Sequence, residues 1–292
     1  MPYRNFLIKS QGLPSIYFQP LVTMPYLSHA HTRLSLGKIF WRETGQGEVI
    51  IFLHGTWQDS SQWSEILTHL GENYHCFALD LLGCGESERP KVGYSIALQV
   101  EYLREYLVRF NLNQVYLVGH SLGAWVAVSY ALHHPEQIKG LVLLSPEGVQ
   151  PPELGKRWSR ERALLSPIPL LYWSLKFVAP WVKLLGIAPQ IPELLALRHK
   201  LQLHPIPCRL LFQRRPVEIY GEMVDRYLEK LKAPTLLLQT PEDEAEAIAL
   251  IHTYAALAPT AELYKISLTP DRAVSPDQEL AREIQRFLEK IS

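Results

Sequence analysis

The chain has 292 residues, 47% of them hydrophobic, and its 29 lysines and arginines balance 29 aspartates and glutamates for a formal net charge of zero. That length suits one α/β domain with an insertion and supplies enough apolar surface for a substantial core. The even charge leaves no bulk basic face, which excludes nucleic acid as a partner class. Cys76, Cys84 and Cys208 are odd in number and lack metal-ligand spacing, so the pattern implies a reducing compartment and neither a disulfide framework nor a metal site. No residue cluster implies an organic cofactor. The N-terminus lacks a charged region followed by an apolar core and a small-residue cleavage site, and cytoplasmic residence is the resulting expectation.

In chain order, residues 1–35 read as an N-terminal arm. Pro2, Pro14, Pro20 and Pro25 stand among Phe6, Tyr17, Phe18 and Tyr26, favouring an extended segment docked on the domain over a helix. Apolar strands follow at Gly37 to Trp41, Val49 to Leu53, His75 to Leu79, Val115 to Val118, Ile138 to Leu144, Thr235 to Gln239 and Ala261 to Ile266. Helical patterns separate most of them. Leu98, Tyr102, Leu103, Tyr106 and Leu107 mark a helix over Ser95 to Phe110, and Leu280, Ile284, Phe287 and Leu288 another over Pro276 to Ile291. This alternation predicts a doubly wound, mainly parallel α/β sheet. From Glu147 to Leu231 the alternation breaks, prolines recur, and Pro167 to Leu185 is rich in apolar and aromatic residues. Lys176, Pro180 and Lys183 argue against a membrane-spanning helix there, which needs about twenty predominantly apolar residues.

Two loops carry chemistry. Gly119-His120-Ser121-Leu122-Gly123 lies between the strand ending at Val118 and an alanine-rich helical run. It is a G-x-S-x-G nucleophile elbow, a sharp strand-to-helix turn that lifts the Ser121 hydroxyl above the sheet. Upstream, the buried run Val49 to Leu53 ends at His54-Gly55-Thr56-Trp57. In this architecture the backbone N–H of Leu122 and one from the latter loop, from Thr56 or Trp57, form the oxyanion hole. His54 reads as a brace for its loop, and His120 as a packing or hydrogen-bonding residue turned from the serine.

These two motifs, followed in place by Asp80-Leu81-Leu82-Gly83-Cys84-Gly85-Glu86-Ser87, resemble the α/β-hydrolase superfamily in its capped branch of esterases, lipases and related hydrolases. The resemblance runs from about Leu36 to Ile291. The D-x-x-G-x-G-x-S turn suggests a tight backbone path with Asp80 as a structural carboxylate and Cys84 as a small filler. It implies an α/β-hydrolase core over 36–146 and 232–292 and an inserted helical cap over 147–231. The family's acid falls at Asp243, after the strand Thr235 to Gln239, although Thr240 replaces the usual glycine; Glu147, beyond the strand Leu141 to Leu144, is the alternative. The family's histidine should follow the last strand. Counting forward places it at Asp271 and counting back from Pro276 places it at Thr269, and neither is a histidine; the last histidine is His252. His199 and His204, within the insertion, are the residues that could substitute from above.

Loss of the base in a serine triad costs about four to six orders of magnitude in turnover. Two functions therefore compete. One is a serine ester hydrolase acting on an apolar or lipid-like ester, with Ser121 as nucleophile and an unidentified base. The other is a catalytically degenerate hydrolase that binds a hydrophobic ligand, a membrane surface or a protein. The Pro167 to Leu185 stretch suits a pocket roof or peripheral contact with a bilayer. A dehalogenase or epoxide hydrolase is disfavoured, because those relatives carry aspartate where Ser121 stands.

Overall fold

The computed structural model describes residues 27–151, 157–166, 173, 177, 190–266 and 275–292. An eight-stranded sheet organises them: β1 (Ser28–Leu34), β2 (Gly37–Thr44), β3 (Glu48–Leu53), β4 (Tyr74–Leu79), β5 (Val115–His120), β6 (Ile138–Leu144), β7 (Thr235–Gln239) and β8 (Ala261–Lys265). Their order is β1-β2-β4-β3-β5-β6-β7-β8. β1 and β2 pair antiparallel, as do β2 and β4, and every pairing from β4 to β8 is parallel. This is the α/β-hydrolase fold.

The interior parallel strands are largely apolar because both faces of the sheet are covered there, whereas β8, at the sheet edge, reads Ala-Glu-Leu-Tyr-Lys and is partly exposed. On β3, Ile51 and Leu53 enter one buried cluster and Ile50 and Phe52 the other. β5 repeats this split, with Leu117 on the first face and Tyr116 and Val118 on the second. The described helices are α1 (Ser64–Leu70), α2 (Ile96–Arg109), α3 (Leu122–His133), α4 (Ser159–Leu164), α5 (Gln190–Leu203), α6 (Pro205–Cys208), α7 (Pro216–Gly221), α8 (Ala245–Leu257) and α9 (Pro276–Ile291). α2, α3 and α8 bury residues in the first cluster, α1 and α9 in the second.

Local chemistry sets the helix ends. Ser95 caps α2 by accepting from the N–H of Leu98. Ser275 and Gln278 form a reciprocal capping box at the start of α9, with Pro276 in the first turn. α9 then buries Leu280, Ile284, Phe287 and Leu288, one stripe at helical spacing.

One boundary is corrected. The described part of the expected arm is not an arm: Ser28–Leu34 is β1, paired along its length with β2. Its side chains alternate between partly buried and exposed, as an edge strand permits, so its polar sequence lacks the apolar signature of the interior strands. β6 and β7 are neighbours in the sheet, and the long stretch between them contains α4 to α7. Most of Pro167 to Leu185, the expected roof, lies outside the described residues; Trp173 and Phe177 are described, and both are strongly exposed.

Candidate active site

Ser121 sits between the end of β5 and the start of α3 with φ 50° and ψ −112°, a backbone conformation that side-chain-bearing residues rarely adopt. The turn is held by the Ser121 N–H donating to the Leu144 carbonyl at 2.9 Å and by the Ser121 carbonyl accepting from Glu147 at 3.2 Å. The flanking glycines are steric requirements. A Cβ on Gly123 would stand 2.3 Å from the Leu53 carbonyl oxygen, and one on Gly119 would stand 2.5 Å from the Ala124 Cα. The elbow thus fits because α3 begins in close contact with both β5 and the end of β3. Leu122 opens α3, where backbone N–H groups have no partner inside the helix and the helix dipole is positive.

The loop after β3 meets the serine directly. The Thr56 and Ser121 hydroxyl oxygens are 2.8 Å apart, within hydrogen-bond reach. Thr56 is buried, whereas Trp57 is half-buried, its ring edge-on to Trp158 and His204 at 6.4 and 5.8 Å. Both residues line the cavity around Ser121. His54 braces this loop: its Nδ1–H donates to the Gly55 carbonyl at 2.8 Å, and its Nε2 accepts from the Leu81 N–H at 3.2 Å. Fully buried and satisfied on both nitrogens, it is held neutral, with its pKa lowered chiefly by desolvation. His120 is likewise committed. Gln62 takes the Gly55 N–H on Oε1 and donates from Nε2 to His120 Nδ1, both at 2.9 Å. Burial lowers the His120 pKa to about 4.

Behind the loop, the buried Asp80 carboxylate accepts from the backbone N–H groups of Ser60 and Glu86, each at 2.7 Å. A Cβ on Gly85 would stand 2.0 Å from Asp80 Oδ2, which accounts for the glycine in the D-x-x-G-x-G-x-S turn. Cys84 is buried, and desolvation pushes its thiol pKa up to about 12; it is filler, not a nucleophile.

The other side of the cavity is built differently. Asp243 and Ser121 line one cavity of about 680 Å³. The Asp243 carboxylate, however, accepts from the Ser145 hydroxyl at 2.6 Å and from the Thr240 N–H at 2.8 Å. Ser145 follows β6 with a positive φ of 43°, which turns its side chain across to the loop after β7. Glu147, the alternative acid, is occupied: Arg157 grips it through Nη1 at 2.5 Å and Nη2 at 2.7 Å, and binds Glu246 through Nε at 3.0 Å. The Glu147 carbonyl also accepts from the Tyr254 hydroxyl at 2.6 Å. Neither Ser145 nor Arg157 was singled out by sequence. Arg157 carries no local signal, and Ser145 only its place at the end of a sheet strand.

The expected histidine substitutes stand elsewhere. His199 is exposed, and His204 packs on Trp57 and lines a neighbouring cavity with Asp59 and Arg89. Among the described residues, His120 is the one histidine in the wall of the Ser121 cavity. Thr269 and Asp271 lie outside the described residues. The described walls are also more charged than an apolar ligand suggests, with Arg157, Arg160 and Lys200 facing six carboxylates, Asp243 and Glu246 among them. Among the described residues, no group of three or more histidine, cysteine or acidic side chains is arranged to hold a metal, and no helix is long and apolar enough to cross a membrane.

Comparison with known proteins agrees with this architecture. A family model described as alpha/beta hydrolase fold matches residues 48–179. The haloalkane dehalogenase of Bradyrhizobium diazoefficiens is 33% identical over 106 residues, covering 36% of this chain and 34% of that protein. "Probable lysophospholipase BODYGUARD 1" of Arabidopsis thaliana is 37% identical over 106 residues, covering 34% of this chain and 23% of that one. The chain thus spans about a third or less of the length of these curated relatives. A bacterial membrane phospholipase A superposes over 91% of this chain and 86% of its own with TM-score 0.66 at 23% identity. A haloalkane dehalogenase variant from Bradyrhizobium elkanii covers 91% and 97% with TM-score 0.65 at 19% identity. The match over residues 48–179 and the superposition on these solved structures make the chain similar to α/β-hydrolases and show that it has their fold. The proteins that it resembles include both phospholipases and dehalogenases, so the likeness defines a fold without selecting a reaction.

Proposed function

We propose that the chain binds an ester or related acyl compound with its carbonyl at Ser121, on a serine-hydrolase scaffold that has lost its general base. The carbonyl oxygen is taken by the Leu122 N–H and by the loop of Thr56 and Trp57, Thr56 being the residue that touches Ser121. The segment between β6 and β7 acts as the cap, supplying Trp158 just before α4, Arg160 of α4, and Leu197 and Lys200 of α5 to the cavity wall. The ligand is lipid-like in the sense that the phospholipase relatives suggest, an apolar chain with a polar end that suits the charged wall.

The observation that carries this reading is the state of Asp243. In a working triad the acid holds an imidazole, which takes the proton from serine and returns it to the leaving group. Here Ser145 and the Thr240 N–H hold the carboxylate, and the chain beyond His252 contains no histidine at all. A Ser145 hydroxyl bound to Asp243 cannot accept the Ser121 proton near neutral pH. Oxyanion binding and ligand positioning remain, which alone sustain only a small residual rate.

Efficient serine hydrolysis is the second reading, supported by the intact elbow and by the strain stored at Ser121. The two separate in one comparison: turnover of short- and medium-chain nitrophenyl esters by the protein and by Ser121→Ala. Under the binding reading the two rates coincide, while the esters still compete for the cavity. A Ser121-dependent rate on the order of 1 per second or more overturns it and establishes a base.

A further inference from the structure

The loop after β3 fixes the ring of His120 both in place and in protonation state. The Gly55 N–H can only donate, so the Gln62 amide must turn Oε1 toward it and Nε2 toward the ring, both at 2.9 Å. An amide N–H cannot accept. His120 Nδ1 is therefore the bare nitrogen of a neutral imidazole whose proton sits on Nε2, and burial keeps the ring neutral by lowering its pKa to about 4. A Cβ on Gly55 would stand 2.3 Å from His120 Nδ1, so the glycine is what lets the ring seat. The Nε2–H has no hydrogen-bond partner: Asp243, whose charge reaches the ring, is held by Ser145 and the Thr240 N–H instead. Nor is Nε2 sealed from the surface, as the unpaired indole nitrogen of Trp63 is. His120 stands in the wall of the Ser121 cavity, and that is the opening onto which so deeply set a ring can present a free N–H.

We propose that His120 Nε2–H selects the ligand of the Ser121 cavity, donating to a second, uncharged oxygen of an acyl compound whose carbonyl lies at Ser121. In the binding function proposed for Ser121, on which this rests, the chemistry of the ligand's polar end is open; His120 supplies it. An anionic oxygen is disfavoured, because six carboxylates face three cations in the same walls, and Arg157, one of the three, is already spent on Glu147 and Glu246. A neutral carbonyl oxygen accepts from a neutral imidazole without that repulsion, and a ligand lacking it leaves the donor unpaired. His120 and Ser121 are consecutive, with Cα atoms about 3.8 Å apart, and share one cavity. The second oxygen therefore belongs a few bonds from the acyl carbonyl, as in a β-oxoacyl ester.

Ethyl acetoacetate and ethyl butanoate, which differ only in the β-oxo oxygen, test the assignment when titrated into the full chain with backbone amides and imidazole nitrogens followed by NMR. The free protein should show His120 protonated on Nε2 near neutral pH. Ethyl acetoacetate should bind about three- to tenfold more tightly, the worth of one hydrogen bond, and should move the His120 Nε2 resonance together with the Leu122 amide. Ethyl butanoate should move Leu122 alone. His120→Gln, whose amide N–H reaches the position of Nε2, should keep the preference. His120→Asn, whose amide reaches only as far as Nδ1 and still meets Gln62, should lose it while binding ethyl butanoate as before. A ring protonated on Nδ1, equal affinity for the two esters, or a preference that survives His120→Asn overturns the proposal and leaves the reading of Ser121 standing. Binding of neither ester, with Leu122 unmoved, overturns both.

Discussion

The two sides of the Ser121 cavity are held together by different means. On the nucleophile side, β3, β5 and α3 meet so closely that backbone atoms define the site: Gly119 and Gly123 admit no Cβ, and His54, Gln62 and Asp80 bond mostly to backbone groups. On the acid side, the partners are side chains reaching across long sequence distances, Ser145 to Asp243 and Arg157 to Glu147 and Glu246. A constellation made of backbone cannot be lost without losing the fold, whereas one made of side chains can be exchanged residue by residue. The turn at Ser121 is therefore part of the sheet's architecture, and its presence alone says little about turnover.

The largest effect that could break this contrast is steric. Gly123→Val places its Cβ where the Leu53 and His54 carbonyl oxygens lie 2.3 and 2.6 Å away, on a central strand that cannot yield. The expected loss is about 4 kcal/mol or more in urea unfolding. A variant within about 1 kcal/mol of the parent would show that the elbow tolerates relaxation and is not an architectural constraint.

A pH effect of about the next size also belongs to the nucleophile side. His120 has its pKa lowered to about 4, and His54 is lowered as well. The unfolded chain binds these protons near pH 6.5, while the folded chain refuses them until lower pH. Stability is thus fully present above about pH 6.5 and is lost as pH falls toward 4, by up to about 3 kcal/mol for His120 alone. Unfolding midpoints measured from pH 7 to pH 4 should decline, and His120→Gln should flatten the decline. A decline identical in the variant would remove His120 from the account.

Legibility in the sequence follows the same division. The interior strands, α2, α9 and the three glycine-bearing turns could be read directly, because continuous apolar runs and obligatory glycines are local consequences of burial and close backbone approach. β1 could not, because Ser28–Leu34 is an edge strand with partly exposed polar side chains. Asp243 could be placed beside the cavity by its position after β7, but its occupation by Ser145 could not, since the two are 98 residues apart and depend on a positive φ at Ser145. Nothing in the residues near Arg157 announced its clasp of Glu147 and Glu246.

On the acid side, the proposed function is sharpened by restoring what is absent. Thr269→His or Asp271→His, the two positions at which the sequence places the family's histidine, should lift nitrophenyl ester hydrolysis about a hundredfold above the Ser121→Ala background, the lower bound for a positioned acid–base group. No gain at either position would indicate that the oxyanion hole or the cavity has also diverged from a hydrolytic geometry.

The smallest effect couples the two sides. Ser145→Ala removes one donor to Asp243 while leaving the Thr240 N–H in place, for a stability change of about 1 kcal/mol. In the parent chain the proposed function expects it to leave ester turnover unchanged, since on that reading no base takes up the freed oxygen. In the chain carrying the restored histidine, the Ser145 hydroxyl and the imidazole N–H compete for the same carboxylate oxygen, and removing the hydroxyl should add severalfold to the rate. A cycle of the two substitutions isolates that term. Additive effects would mean that Asp243 orients the new histidine without yielding Ser145, so that the acid side retains a vacant position for an imidazole; positive coupling would mean that Ser145 now fills it.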